Sequence, residues 1–149
     1  MTKATPFISK SLAETRDYAE LFLHELVSPQ KFAAVIALSG DLGAGKTAFV
    51  KELGTLLGLS RSEITSPTFV IMKVFEISHP RFKRLIHIDA YRLEKEKELL
   101  KLGWEEIVAD PENLILIEWP ELVKGLIPKT AQRITFRFID EDTREITVK

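Results

Sequence analysis

Apolar residues along this chain change their spacing from segment to segment, and each spacing predicts an element. Phe7-Ile8 is a short apolar start, expected as an edge strand. Ser11 and Glu14 fit a capping box, in which serine and glutamate close free N–H groups at a helix start. Leu12, Thr15, Ala19, Phe22 and Leu26 then share a face, so an amphipathic helix is expected over residues 12–27, ended by Ser28-Pro29. Residues 32–38 form an apolar run of strand length. Phe49, Val50, Leu53, Leu56 and Leu57 recur at helical spacing, with Gly58 placed as a C-cap.

Residues 60–68 are polar, and Pro67 breaks any regular element there. Residues 69–77 are apolar and rich in branched side chains, and residues 84–89 read as another strand after the turn Ser78-His79-Pro80-Arg81; the pair predicts a hairpin. Residues 94–102 read as one charged, exposed helix ending at Gly103, and the sign alternation of residues 94–98 marks a solvated face. Leu114-Ile115-Leu116-Ile117 is continuous, as in a strand covered on both faces. Residues 120–126 predict a short helix opened by Pro120. Ile134, Phe136 and Phe138 alternate with polar residues, and residues 140–143 turn the chain back toward Ile146 and Val148. The sum is an α/β fold: a mixed sheet with a parallel core, flanked by helices.

Composition narrows the class. A length of 149 residues suits a single domain, residues 1–149, with a core that needs no staples. The chain has no cysteine, which removes disulfides, thiolate metal sites and cysteine catalysis. No apolar run approaches the roughly 20 residues that span a bilayer, and the first residues lack the apolar core of a signal peptide, so a cytoplasmic protein without membrane contact is expected. A formal charge of −1 offers no global attraction to nucleic acid.

The chemistry starts at Gly40-Asp41-Leu42-Gly43-Ala44-Gly45-Lys46-Thr47, a complete G-x-x-x-x-G-K-[ST] loop. Its glycines let backbone N–H groups face phosphate oxygens, the lysine reaches the β- and γ-phosphates, and the threonine hydroxyl can ligate Mg²⁺. A strand before it and a helix after it separate this match from a chance glycine-rich turn, and make the expected fold a P-loop NTPase-like mixed sheet with a parallel core, flanked by helices. A nucleoside triphosphate is the ligand such a loop implies.

A triphosphate site also needs a carboxylate at the end of a neighbouring buried strand. Glu118 and Asp89 both qualify, Glu118 the better because an acid follows its apolar run; the alternative is that both merely mark strand ends. His87, Asp89 and Tyr91 would point to one side of a continuing strand, with Arg92 beside them. That trio could orient water, hold Mg²⁺ through an outer shell or sense the γ-phosphate, or it could be a hydrogen-bonded structural cluster with the strand ending sooner. Ser66-Pro67-Thr68 occupies the place where nucleotide switches present a hydroxyl, although a turn accounts for it as well. Trp119 could stack on adenine or pack in the core. Trp104 reads as packing, and His24 and His79 as surface or loop residues. No Asn-Lys-x-Asp element for guanine and no arginine-rich lid is present, which disfavours a GTPase and a small-molecule kinase. A lone domain of 149 residues, with little room for a second substrate, suggests a triphosphatase that acts on a partner protein.

Taken together, residues 40–47, Ser66-Pro67-Thr68-Phe69, His87-Ile88-Asp89-Ala90-Tyr91-Arg92-Leu93 and Glu118-Trp119-Pro120-Glu121 resemble the bacterial TsaE family of tRNA threonylcarbamoyladenosine biosynthesis, in order, spacing and length. The resemblance spans roughly residues 8–138. It implies an ATPase, weak alone, that uses Mg²⁺ and binds a TsaB–TsaD pair. Its hydrolysis of ATP to ADP would support repeated threonylcarbamoylation of the tRNA adenosine beside the anticodon, with tRNA met only through the partners. It also implies that Asp41, Leu42, Gly43, Ala44, Gly45, Lys46, Thr47, Ala48, Thr68 and Trp119 contact nucleotide. Thr47 and Glu118 would ligate the metal, and Asp89 and Lys46 would serve catalysis, Asp89 by positioning water. A small-molecule kinase and a nucleotide-gated binding module with negligible hydrolysis are the rival readings.

Overall fold

The computed structural model describes residues 5–26, 29–41, 43–64 and 71–149. One seven-stranded sheet organises them. In chain order the elements are β1 (Phe7–Ser9), α1 (Leu12–Glu25), β2 (Ala34–Ser39), α2 (Lys46–Leu56), β3 (Met72–Glu76), β4 (Arg84–Asp89), α3 (Glu96–Lys101), α4 (Trp104–Ala109), β5 (Asn113–Glu118), β6 (Gln132–Phe138) and β7 (Arg144–Val148). The strand order is β1-β7-β6-β2-β5-β4-β3. Pairs β6–β2, β2–β5 and β5–β4 are parallel; the hairpins β3–β4 and β6–β7 and the pair β1–β7 are antiparallel. The expected mixed sheet with a parallel centre and the β3–β4 hairpin are both present.

Alternation along the central strands divides the core in two. Ile36, Leu38, Leu114, Leu116, Leu85 and Ile134 face α1 and α2. Val35, Ala37, Ile115, Ile117, Ile86 and Ile88 face the α3–α4 side. Every residue of β5 is buried, as its uninterrupted apolar run requires when both faces are covered. On the first side, Phe49 of α2 bridges Phe22 of α1 and Phe136 of β6 in edge-to-face contacts, with centroids 5.9 and 5.4 Å apart.

Local chemistry explains most element ends and the departures from expectation. Ser11 Oγ accepts the Glu14 N–H at 3.1 Å, while Glu14 reaches back past the cap to the Lys10 N–H at 3.0 Å. Leu12, expected on the buried face, is exposed; it stands in the first turn, and burial on α1 runs from Thr15 to Phe22 and Leu23. The expected helix over 94–102 is two helices. It starts two residues late because Glu98 accepts the N–H groups of Glu94 and Lys95 at 2.8 and 3.0 Å. Gly103, with φ of 90°, then turns the chain into α4 instead of ending the helical region. Trp104 is buried there and donates from Nε1 to the Leu126 carbonyl at 3.2 Å. Residues 120–126 are a 3-10 segment with Val123 outside helical geometry, so Pro120 opens a turn rather than an α-helix. The expected strand over 69–77 is regular only over Met72–Glu76; residues 69 and 70 lie outside the described residues.

Candidate functional site

The loop between β2 and α2 crosses the carboxyl ends of the parallel strands. Two of its glycines are required by their surroundings. Gly40 has φ of 144°, and a methyl group there would collide with the Phe136 carbonyl oxygen. Gly45, with φ of 104°, is the N-cap of α2, a left-handed conformation that side chains disfavour. It aims the first-turn amides of α2 into the space above the sheet, the arrangement that favours an anion. Ala44 N–H closes the turn on the Asp41 carbonyl at 3.1 Å.

Lys46, the first residue of α2, is 4% exposed. Its ammonium donates to the Gly40 carbonyl and lies 3.9 Å from the centroid of the Trp119 indole. Burial pulls the Lys46 pKa below its ordinary value, and the charges of Glu118, Glu121, Asp89 and Asp41 oppose that pull. Four carboxylates therefore converge electrically on one cation at the loop.

Two of these acids are set by sheet register. Asp89 ends β4, Glu118 ends β5, and the parallel ladder pairs them directly. Both lie on the α2 side, in line with Leu85 and Leu116. Glu118 is 5% exposed and accepts a hydrogen bond from His87 Nε2 at 2.6 Å. That bond fixes the imidazole tautomer; His87 Nδ1 is buried without a partner among the described residues. Asp89 is half-buried, and its carboxyl is pushed above the ordinary carboxylate value, by burial first and by Glu118 further. Its Oδ1 also accepts the Tyr91 N–H at 3.0 Å.

The expected convergence of His87, Asp89 and Tyr91 holds for the first two only. The strand ends at Asp89, and residues 90–92 form a 3-10 turn capped by that carboxylate. Strand alternation therefore stops before Tyr91. Its ring is exposed and tilts over Trp119, centroids 5.1 Å apart. Arg92 stays close enough for its charge to hold the Asp89 carboxyl down. Trp119 itself takes φ 59° and ψ 48°, the one non-glycine residue with positive φ among those described, so it is held over Lys46 against a local conformational cost.

Thr47 and Ala48 follow Lys46 in the first turn of α2, half-buried, while Asp41 and Gly43 are exposed at the loop tip and Ala44 is buried. Leu42 and Thr68, both expected to contact nucleotide, lie outside the described residues, as do Ser66, Pro67 and Phe69. Glu121, quoted in a motif but given no role, accepts from Ser39 Oγ at 3.1 Å and ties the last residue of β2 to the turn after Trp119. Its place four residues before Gly125 carried no periodic signal.

The donors present fit a hard divalent cation. The Thr47 hydroxyl and the Glu118 and Asp89 carboxylates offer oxygen donors, and the proximity of the two acids, which helps to raise the Asp89 carboxyl, is what a bound cation would relieve. Among the described residues no three His, Asp, Glu or Cys side chains gather into a complete cage. Mg²⁺ suits such a set, since it is commonly held by one or two carboxylates together with phosphate oxygens.

Sheet order, glycine loop and the strand-end acids define a P-loop NTPase-like α/β domain. Comparisons take this further. The family described as "Threonylcarbamoyl adenosine biosynthesis protein TsaE" matches residues 9–146, and the chain belongs to that family. A tRNA threonylcarbamoyladenosine biosynthesis protein TsaE from Rickettsia typhi is 35% identical over 136 residues, 91% of this chain and 88% of that one. The TsaE protein of Treponema pallidum is 40% identical over 115 residues, 77% of this chain and 81% of that one. The crystal structure of YdiB from Bacillus subtilis superimposes with a TM-score of 0.73 at 30% identity, covering 99% of this chain and 86% of that one. The family's place is in tRNA threonylcarbamoyladenosine biosynthesis.

Proposed function

We propose that the protein is a Mg²⁺-dependent ATPase that binds a TsaB–TsaD pair and sustains its turnover on tRNA. The observation that carries this reading is the alignment of Asp89 and Glu118, abreast in the β4–β5 register, around the Lys46 ammonium at the start of α2. Loop amides and Lys46 would hold the phosphates and stabilise charge spreading onto them as the γ-phosphoryl group leaves. Lys46 would exchange its Gly40 carbonyl for a phosphate oxygen. Asp89 would accept a hydrogen bond from the attacking water and orient it in line. Thr47 Oγ1 and Glu118 would hold Mg²⁺, which would supply charge neutralisation to the phosphate oxygens. His87 keeps Glu118 in place, and Trp119 would border the nucleotide. Thr68 is the proposed hydroxyl of a switch segment. The partner assignment is supported by family membership.

Single-turnover hydrolysis of ATP, with and without TsaB–TsaD, tests the reading. The expected result is slow Mg²⁺-dependent release of phosphate alone and an altered rate with the pair, both abolished in Lys46→Ala and Thr47→Ala. Tight ATP binding with no phosphate release in either setting would instead establish a nucleotide-gated binding module. Phosphate appearing on a metabolite would establish a kinase.

A further inference from the structure

Arg144 opens β7. Because β7 is antiparallel to β6, and β6 is parallel to β2, this first residue lies at the sheet end that carries the loop. Its side chain is laid against the loop. A methyl group built on Gly45 would come within 2.6 Å of Arg144 Cδ, 2.8 Å of Nη1 and 3.2 Å of Nε. Arg144 Nε is buried and has no hydrogen-bond partner among the described residues. The adjacent carboxylate is already engaged: Glu145 accepts from Arg137 Nε and Nη2 at 3.1 and 3.2 Å.

This placement is unfavourable as it stands. Gly45 caps the positive end of α2, and Lys46 follows it. A guanidinium pressed there with an unsatisfied donor costs free energy that an anion would recover. The guanidinium fork matches phosphate oxygens in particular. The backbone of such a loop cradles the α- and β-phosphates, and Gly45 is part of that cradle.

We propose that Arg144 is a phosphate ligand of the bound nucleotide, closing on the polyphosphate across Gly45 from the β6–β7 flank, opposite the flank that supplies Asp89 and Glu118. The proposal rests on the nucleotide reading above and deepens it. Since Gly45 belongs to the part of the loop that holds phosphates common to both nucleotides, Arg144 serves Mg·ADP and Mg·ATP alike.

Calorimetry with Mg·ADP and with Mg·ATP on the full chain tests it. Arg144→Ala is expected to weaken both by a similar factor, about tenfold or more, the equivalent of one charge-assisted hydrogen bond. Arg144→Lys, which keeps charge but loses the fork, is expected to recover part of the loss. Arg137→Ala, altered one ladder position away and exposed, is expected to bind as wild type. Wild-type affinity in Arg144→Ala overturns the proposal and leaves the ATPase reading intact. Binding without hydrolysis in the wild type overturns the ATPase reading, while Arg144 is still decided by affinity. If the variants fail to fold, the wild-type chain carrying ¹⁵N-arginine decides: the Arg144 Nε–H resonance shifts on adding Mg·ADP, or the proposal falls.

Discussion

The Lys46 ammonium sits 3.9 Å from the centre of the Trp119 indole, so the cation that should grip phosphate rests against an aromatic face. A cation held there is stabilised by the ring quadrupole. Phosphate would draw it away, and the indole would lose that neighbour. Tryptophan emission is therefore expected to change when Mg·ADP is added. Trp104→Phe should keep the response, since Trp104 is buried in the core with its Nε1 bonded to the Leu126 carbonyl, and Trp119→Phe should lose it. An undiminished signal in Trp119→Phe would refute the link.

His87 and Glu118 form a buried pair joined through the imidazole Nε2. Removing the imidazole leaves a buried carboxylate without its donor. His87→Ala should cost about 1–3 kcal/mol of unfolding free energy. It should also raise the Mg²⁺ concentration needed for half-maximal hydrolysis by about tenfold, the usual consequence of losing a partner behind a metal ligand. Urea titration reads the first effect and a Mg²⁺ titration the second. A destabilised variant with wild-type Mg²⁺ dependence would make the pair purely structural.

Asp89 yields a pH prediction with a definite sign. Burial raises its folded-state carboxyl above the unfolded value, so the folded chain binds the proton more tightly. Stability contributed by the protonated form is present below the unfolded value and is lost as pH rises through the raised one. Asp89→Asn keeps an acceptor for the Tyr91 N–H and never ionises. In metal-free buffer it should melt higher than wild type at neutral pH and lose that advantage under acid conditions. It should also hydrolyse ATP far more slowly while still binding it. Melting curves at two pH values and a rate assay check both; a lower Tm at neutral pH would be the contrary result.

Gly40 and Gly43 both have positive φ but differ in surroundings. A Cβ at Gly40 would strike the Phe136 backbone carbonyl, whereas one at Gly43 meets nothing within 4 Å. Gly43→Ala should cost only the left-handed penalty of about 1–2 kcal/mol. Gly40→Ala must additionally displace β6 from the loop and should lower the denaturation midpoint further. Equal midpoints would show that the strand yields freely.

Periodicity and end signals carried most of the architecture. The β5 run, the α2 stripe and the Ser11 cap each follow from short-range spacing, and each is where that spacing puts it. The α3–α4 break was not legible, because α4 is only six residues long, two of them glutamate, and Gly103 at φ of 90° serves a bend and a stop equally well. In the site, Lys46, Asp89 and Glu118 could be picked out because each sits at the end of a recognisable run. The place of Tyr91 could not be decided from alternation, since the carboxylate that caps residues 90–92 ends the strand by a hydrogen bond that alternation does not encode. Arg144 carried no signal at all; only the pairing of β7 with β6, distant in sequence from the loop, brings it to Gly45.

The ladder that sets Asp89 beside Glu118 is spelled in aliphatic side chains, Leu85, Ile86 and Ile88 against Leu114, Ile115 and Ile117. Deleting one residue from within β5 would leave every signature motif readable yet turn Glu118 toward the wrong layer. For this protein, competence is thus a property of frame as much as of vocabulary: a genome can preserve all the words and still lose the sentence.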